Sequence, residues 1–388
     1  PEIEVEIGHA LRLGQNNGTL GVFINNEASV YELKQELLQQ VPHNSDSVII
    51  CNDGDNIQDK YDEAVALAAG GATNRADLIV MSGLYSGITG TGNNYVSIIG
   101  VGNRDYIDIG GITLDLNYGL ITNVNSNISM TSNYADIKGV ISGSSVSMLE
   151  NFGDIIDCSA PTFLSDIENY GLIEGCESTG TVRSFGGFSG SLNDGTIKNC
   201  TASGEFSFGQ QGELGVTENC VGGNNAFAAS SDQITFDVDG FGVRGTYKNC
   251  SGGTKSFFGK NETSGIKTVD ANFYNCTAGA NSFGFVNFNN AETYFSGKAI
   301  GCTSGNNGFF RAFNGFTKIL DGAVIENCVG GFRSFANGVN ASNEGVIVRC
   351  RAATSGADAF SATGTGKVRL CLDANYNIVN IPATAWPT

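Results

Sequence analysis

The chain has 388 residues, of which 15% are charged, and a net charge of −18 at pH 7. So acidic a surface repels phosphate backbones and anionic headgroups, which excludes nucleic acid and anionic lipid as partners. No apolar run approaches the roughly 18–20 residues that a membrane helix needs, and 54 glycines, 5 prolines and 10% aromatics suit a packed β composition rather than a disordered one.

Residues 1–45 read as a small α+β unit. Ile3-Glu4-Val5-Glu6-Ile7 alternates as a strand, and Ser29 to Val41 reads as a helix. Ser29 is its N-cap and Glu32 completes a capping box. Val30, Leu33, Leu37, Leu38 and Val41 form its apolar stripe. The expected role is attachment. No leader pattern stands at the start given, so export is not expected.

Residues 46–90 supply a helix and entry strands. Asp55 to Ala68 reads as helical, with Ile57, Tyr61, Ala64, Val65 and Ala68 on the face expected to be covered. Ala76 to Val80 follows as a strand, then the turn Ser82-Gly83-Leu84-Tyr85, then Tyr95 to Gly102 with Ile98-Ile99-Gly100-Val101-Gly102. This order resembles the opening of the pectin-lyase-like right-handed parallel β-helix superfamily, where Pro usually stands in the place of Ser82. The resemblance implies that the helix closes the first coil. That family includes polysaccharide-cleaving enzymes and phage tailspikes, and the fold alone does not choose between them.

Residues 91–375 carry a repeat. Cys158, Cys176, Cys200, Cys220, Cys250, Cys276, Cys302, Cys328 and Cys350 are 18 to 30 residues apart, and Cys371 follows. Such a period marks a solenoid. Cys220, Cys250, Cys276, Cys302 and Cys328 each precede a Phe by seven residues: Phe227, Phe257, Phe283, Phe309 and Phe335. Small residues lie between, Asn usually precedes the cysteine, and an apolar residue often sits three before it. Glycine at this density costs about 1 kcal/mol per site inside a helix, whereas short Val/Ile/Thr/Phe/Tyr runs between Gly/Asn turns suit strands. The predicted fold is all-β, a right-handed parallel β-helix. Cys stacks on Cys and Phe on Phe at about 4.8 Å, and Asn ladders at a bend. Residues 376–388 are a tail.

The cysteines invite a metal or disulfide reading. No CxxC pair exists, and the only histidines are His9 and His43, far from the repeat. Zinc and iron–sulfur spacing is therefore absent, no cofactor is expected, and the thiols are expected to be reduced and buried. Reduced thiols point to assembly in a reducing cytoplasm.

Candidate chemistry is sparse. Asp237 and Asp239 lie two apart in the longest step between cysteines, spaced near 7 Å if on a strand, which suits an inverting glycosidase pair. Asp154 with Asp157 is a second pair, and Asp232 with Asp237 and Asp239 a potential calcium cluster. Each also reads as a solvated acidic turn. Phe257-Phe258, Phe309-Phe310 and Phe206/Phe208 offer aromatic platforms, or one core ring and one outer ring. The expectation is a bacteriophage virion protein of the tailspike or tail-fibre kind, without hydrolytic activity. It would be a homotrimer, joined to other virion proteins through residues 1–45, that binds a host surface glycan. A polysaccharide lyase or hydrolase on the same fold is the second reading, and a bacterial surface adhesin the third.

Overall fold

The structure, a computed structural model, describes residues 3–7, 9–16, 19–22, 47–69, 71, 74–163, 168–180, 193–204, 208, 212–227, 241–257, 265–283, 291–309, 316–335, 341–353, 360 and 365–381. The chain divides into two compact units, Pro1–Pro161 and Thr162–Thr388. The predicted helix at 29–41 lies outside the described residues.

In the first unit, Ile3–Ile7, His9–Asn16 and Thr19–Val22 form a three-stranded antiparallel sheet. The other strands pair in parallel. Ser47–Cys51, Ala76–Val80 and Val96–Gly100 run side by side, continued by Ile121–Thr122, Ile137–Lys138 and Asp154–Ile156. Ile88–Asn94, Ile107–Asn117, Asn125–Asn133 and Ser145–Asn151 make a second parallel set. Strand alternation aims every other residue inward. Ile88, Ile112, Ile128 and Val146 therefore stack in register, each at most 1% exposed. Each such side chain contributes about 1.5–3 kcal/mol by burial.

Helix α1 (Ile57–Leu67) starts at Asn56, whose side chain accepts from the Gln58 N–H at 3.1 Å. It packs against Ser47–Cys51, Ala76–Val80 and Ile88–Asn94. Ile57, Tyr61, Ala64 and, just past its end, Ala68 are buried. Val65, expected on that face, is 41% exposed. One residue beyond Ala64 is a turn of about 100°, which carries Val65 off a contact line narrowed by two alanines.

The second unit repeats one pattern. The strands Leu172–Glu174, Thr196–Lys198, Val216–Glu218 and Phe241–Lys248 pair in parallel and in register, followed by Gly265–Tyr274, Lys298–Ile300, Val324–Glu326, Val346–Val348 and Lys367–Leu372. A second column of two-residue strands runs from Glu177–Ser178 to Arg351–Ala352. A third holds Ala291–Phe295, Phe316–Ile319 and Ala341–Asn343. After Asp373 the chain turns back, and Ile378–Ile381 pairs antiparallel with Lys367–Leu372. The protein is thus all-β with a long parallel sheet, consistent with a β-helix solenoid.

Within this unit the cysteines from Cys176 to Cys371 are all buried and free. Each Sγ–H lies 3.2–3.5 Å from the carbonyl two residues earlier, as Cys200 does from Lys198 and Cys302 from Ile300. Phe208, Phe227, Phe257, Phe283, Phe309, Phe335 and Phe360 stack with ring centroids 4.7–5.1 Å apart. The bend before the cysteine is left-handed: Asn199, Asn219, Asn249, Asn275 and Asn327 have φ of 52–54°, a region Asn tolerates. The glycines between Cys and Phe have a steric reason. A Cβ on Gly330 would come within 2.5 Å of the Ser334 Cβ and 2.7 Å of the Phe335 ring.

Candidate functional site

Two outward surfaces repeat coil by coil, one in each unit. In the first unit, Asn94, Asn117, Asn133 and Asn151 form a buried amide ladder. Each Nδ2 donates to the next Oδ1, at 3.0, 2.8 and 2.9 Å. Tyr61 on α1 donates its hydroxyl to Asn94 Oδ1 at 2.9 Å, closing the ladder at that end. Burial, then the nearby Asp62, pushes the Tyr61 phenol up to about 12. The residue after each Asn is aromatic, and Tyr95, Tyr118, Tyr134 and Phe152 stack outside at 5.1, 4.8 and 4.9 Å. Tyr134 and Phe152 are each 42% exposed. Stacking covers the ring faces, so solvent meets mainly ring edges. Burial and the adjacent phenols of Tyr134 and Tyr95 raise the Tyr118 hydroxyl. This stripe is therefore a ridge of edges and not a flat stacking platform.

In the second unit the left-handed asparagines form an exposed ladder. Asn219, Asn249 and Asn275 each donate Nδ2 to the preceding Oδ1, at 3.2, 3.1 and 3.3 Å, and Asn199 donates to Glu174 Oε1 at 2.9 Å. Gly301 interrupts it, since a Cβ there would meet Asn275 Oδ1 at 2.4 Å. Beside the amides runs an in-register column Glu174, Lys198, Glu218, Lys248 and Tyr274. Lys198 Nζ lies 3.4 Å from Glu174 Oε1; exposed pairs of this kind are worth about 0–1 kcal/mol, so the side chains are cheap to redirect toward a ligand. On the far side of the cysteines stand the exposed residues Thr201, Ser251, Thr277 and Thr303, with Val221 among them. The face thus carries an amide ladder from Asn199 to Asn275, flanked by charge and hydroxyl together in the coils of Cys200 and Cys250 and by one of the two in those of Cys220 and Cys276.

The candidate carboxylates do not assemble among the described residues. Asp237, Asp239 and Asp232 lie outside them, as do Phe206, Phe258 and Phe310. Asp154 sits in a strand, while Asp157 occupies the left-handed bend before Cys158, with φ 53°. It serves there as the backbone residue that is Asn in later coils. Phe208, Phe257 and Phe309 belong to the core stack and are at most 1% exposed. Among the described residues no group of three or more His, Cys, Asp or Glu side chains converges to hold a metal ion. The buried amide ladder and the tyrosine stack were missed from sequence. Their signal was the Asn-aromatic pair recurring at Asn94-Tyr95, Asn117-Tyr118, Asn133-Tyr134, Asn151-Phe152 and Asn169-Tyr170.

Comparison with family models, curated proteins and solved structures finds no match to this chain.

Proposed function

We propose that this chain is a right-handed parallel β-helix of the pectin-lyase-like kind, serving as a bacteriophage virion protein of the tailspike or tail-fibre type that binds a host surface glycan. The observation that carries the reading is the outer face of the second unit. Asn199, Asn219, Asn249 and Asn275 recur there as a ladder at about 4.8 Å, the strand spacing, with Lys198, Thr201, Lys248, Ser251 and Thr277 beside it. A polymer of pyranose units repeats on a similar scale, so successive sugars can meet successive amides of the ladder. The amides and hydroxyls both donate and accept, which is what sugar hydroxyls require. Free, buried thiols throughout suit assembly in a reducing cytoplasm. The chain acts as a homotrimer, attached to the particle through residues 1–45.

Binding of the full chain to purified capsule or lipopolysaccharide tests this. Lys248→Ala with Asn249→Ala should weaken binding at least tenfold without changing the fold, and no oligosaccharide should be released. Unchanged binding in the double variant removes this face from the reading. Released fragments, lost in Asp237→Asn or Asp239→Asn, would put the lyase or hydrolase reading in its place.

A further inference from the structure

We propose that the column of nine thiols from Cys176 to Cys371 is a binding site for soft monovalent d10 cations, Cu(I) or Ag(I), each held linearly between the sulfurs of two neighbouring coils.

The geometry comes first. One cysteine enters the column per coil, and each is held by the same contacts. Its Sγ–H reaches the carbonyl two residues back and a carbonyl of the coil before, as Cys276 does toward Tyr274 at 3.4 Å and Tyr247 at 3.5 Å. Parallel strands set the coil rise at about 4.8 Å. Two metal–thiolate bonds end to end span about 4.6 Å, using the zinc–sulfur length of about 2.3 Å as a guide. A cation of that size fits between two stacked sulfurs without a change of coil spacing. A disulfide fits worse, since its Cβ atoms must close to about 3.8 Å.

The same geometry selects the ion. Zinc takes four ligands in a tetrahedron. A straight column offers each point only the sulfur above and the sulfur below. Soft thiolates favour Cu(I), and soft d10 ions of single charge accept two ligands in line. Charge balance also favours them. Each cation replaces one thiol proton, RSH + M⁺ → RS–M + H⁺, and the thiolate so formed bridges to the next cation. Nine thiols enclose eight gaps. A filled column therefore releases eight protons, keeps one and stays neutral, as a site with sulfurs at 0–1% exposure requires.

The reduced full chain is titrated anaerobically with silver nitrate, and in parallel with Zn(II), both in the native state and during refolding from urea. Bound metal is counted, the parallel-β circular dichroism is recorded, and the silver absorption edge is measured. The expected result is about eight Ag(I) bound in at least one arm, with native dichroism, two sulfur neighbours per silver and little zinc. Cys276→Ala breaks two gaps and should lower the count by two. Cys371→Ala, at the end of the column, should lower it by one, and serves if the first variant does not fold. Cys51→Ala, outside the column, should leave the eight column sites filled. No binding in either arm, binding only with loss of the β signal, equal zinc uptake, or a count unmoved by the column variants would each overturn the proposal.

Discussion

Replacing Asn117 tests whether the buried amide ladder is an energetic spine. Its side chain is 0% exposed and makes three hydrogen bonds. It accepts from Asn94 Nδ2 at 3.0 Å and from the Gly119 N–H at 3.3 Å, and it donates to Asn133 Oδ1 at 2.8 Å. Asn117→Leu keeps the branched outline of the side chain and deletes all three. Asn94 Nδ2 retains the Val96 carbonyl at 3.0 Å, so the main losses fall on Gly119 N–H and Asn133 Oδ1. At about 1–3 kcal/mol for each buried group left unsatisfied, the cost is about 2–5 kcal/mol. Asn117→Asp separates hydrogen bonding from packing. A carboxylate still accepts from Asn94 and Gly119, but it faces Asn133 Oδ1 with no proton, whereas a protonated carboxyl can donate. The folded state therefore holds this carboxyl well above its unfolded value of about 3.9. A raised folded value means that the penalty is absent below about pH 4. It then grows by about 1.4 kcal/mol for each pH step of one, until pH passes the folded value. Urea unfolding of wild type, Asn117→Leu and Asn117→Asp from pH 4 to 8 measures this. The Asp variant should approach wild type at the acid end and fall about 2–4 kcal/mol behind at pH 7, while the Leu variant's deficit stays constant. An Asp deficit that does not depend on pH, or a Leu variant as stable as wild type, would refute the argument.

Three further outcomes follow from burial. Ile57→Asp should cost several kcal/mol or abolish folding, because it buries an unpaired charge, while Val65→Asp, on the exposed side of α1, should stay within about 0.5 kcal/mol in the same urea experiment. Tyr247→Phe should stabilise by about 1 kcal/mol: the Tyr247 hydroxyl is fully buried and has no hydrogen-bond partner among the described residues, and a lower urea midpoint in the variant would show that the hydroxyl is satisfied. Stability should be level from about pH 6 to 8 and decline above about pH 9. Burial raises the Cys51 thiol from its ordinary 9.0 to about 11 and the Tyr61 phenol from 10.0 to about 12. The unfolded chain then binds fewer protons than the native one, so the free energy of unfolding falls as pH rises. A urea midpoint level to about pH 11 would contradict that sum.

The repeat was legible because a parallel stack makes each coil meet the same neighbours. A side chain that fits one rung fits the next, and Cys and Phe recur at a fixed step wherever the intervening path is constant. The Asn before the cysteine was legible for a backbone reason, since its left-handed φ restricts the residue type. Arg349 and Leu370, at φ 54° and 50° in the same place, show that stacking can override that preference. The amide ladder of the first unit was harder to read. Its members are 23, 16 and 18 residues apart, and turns of unequal length hide a register that hydrogen bonding fixes. Val65 was misplaced because an apolar stripe on a helix does not say how wide its contact is. Which of two adjacent rings turns inward was beyond alternation alone. Phe257, Phe283, Phe309 and Phe335 hold φ of 51–62°, costly for a bulky residue, and only their packed, stacked setting keeps them there.

The reversal after Asp373 has a consequence for how such a chain behaves as a polymer. A parallel coil is its own template, because the edge it offers is the edge the next coil needs, and nothing in the repeat says when to stop. Ile378–Ile381 lies antiparallel on Lys367–Leu372, with Ile378 against Leu372 and Val379 against Cys371. The direction of the offered strand is thereby inverted, and a further coil of the same sense finds no matching register. One short strand thus covers the edge that a further parallel strand of the second unit would need.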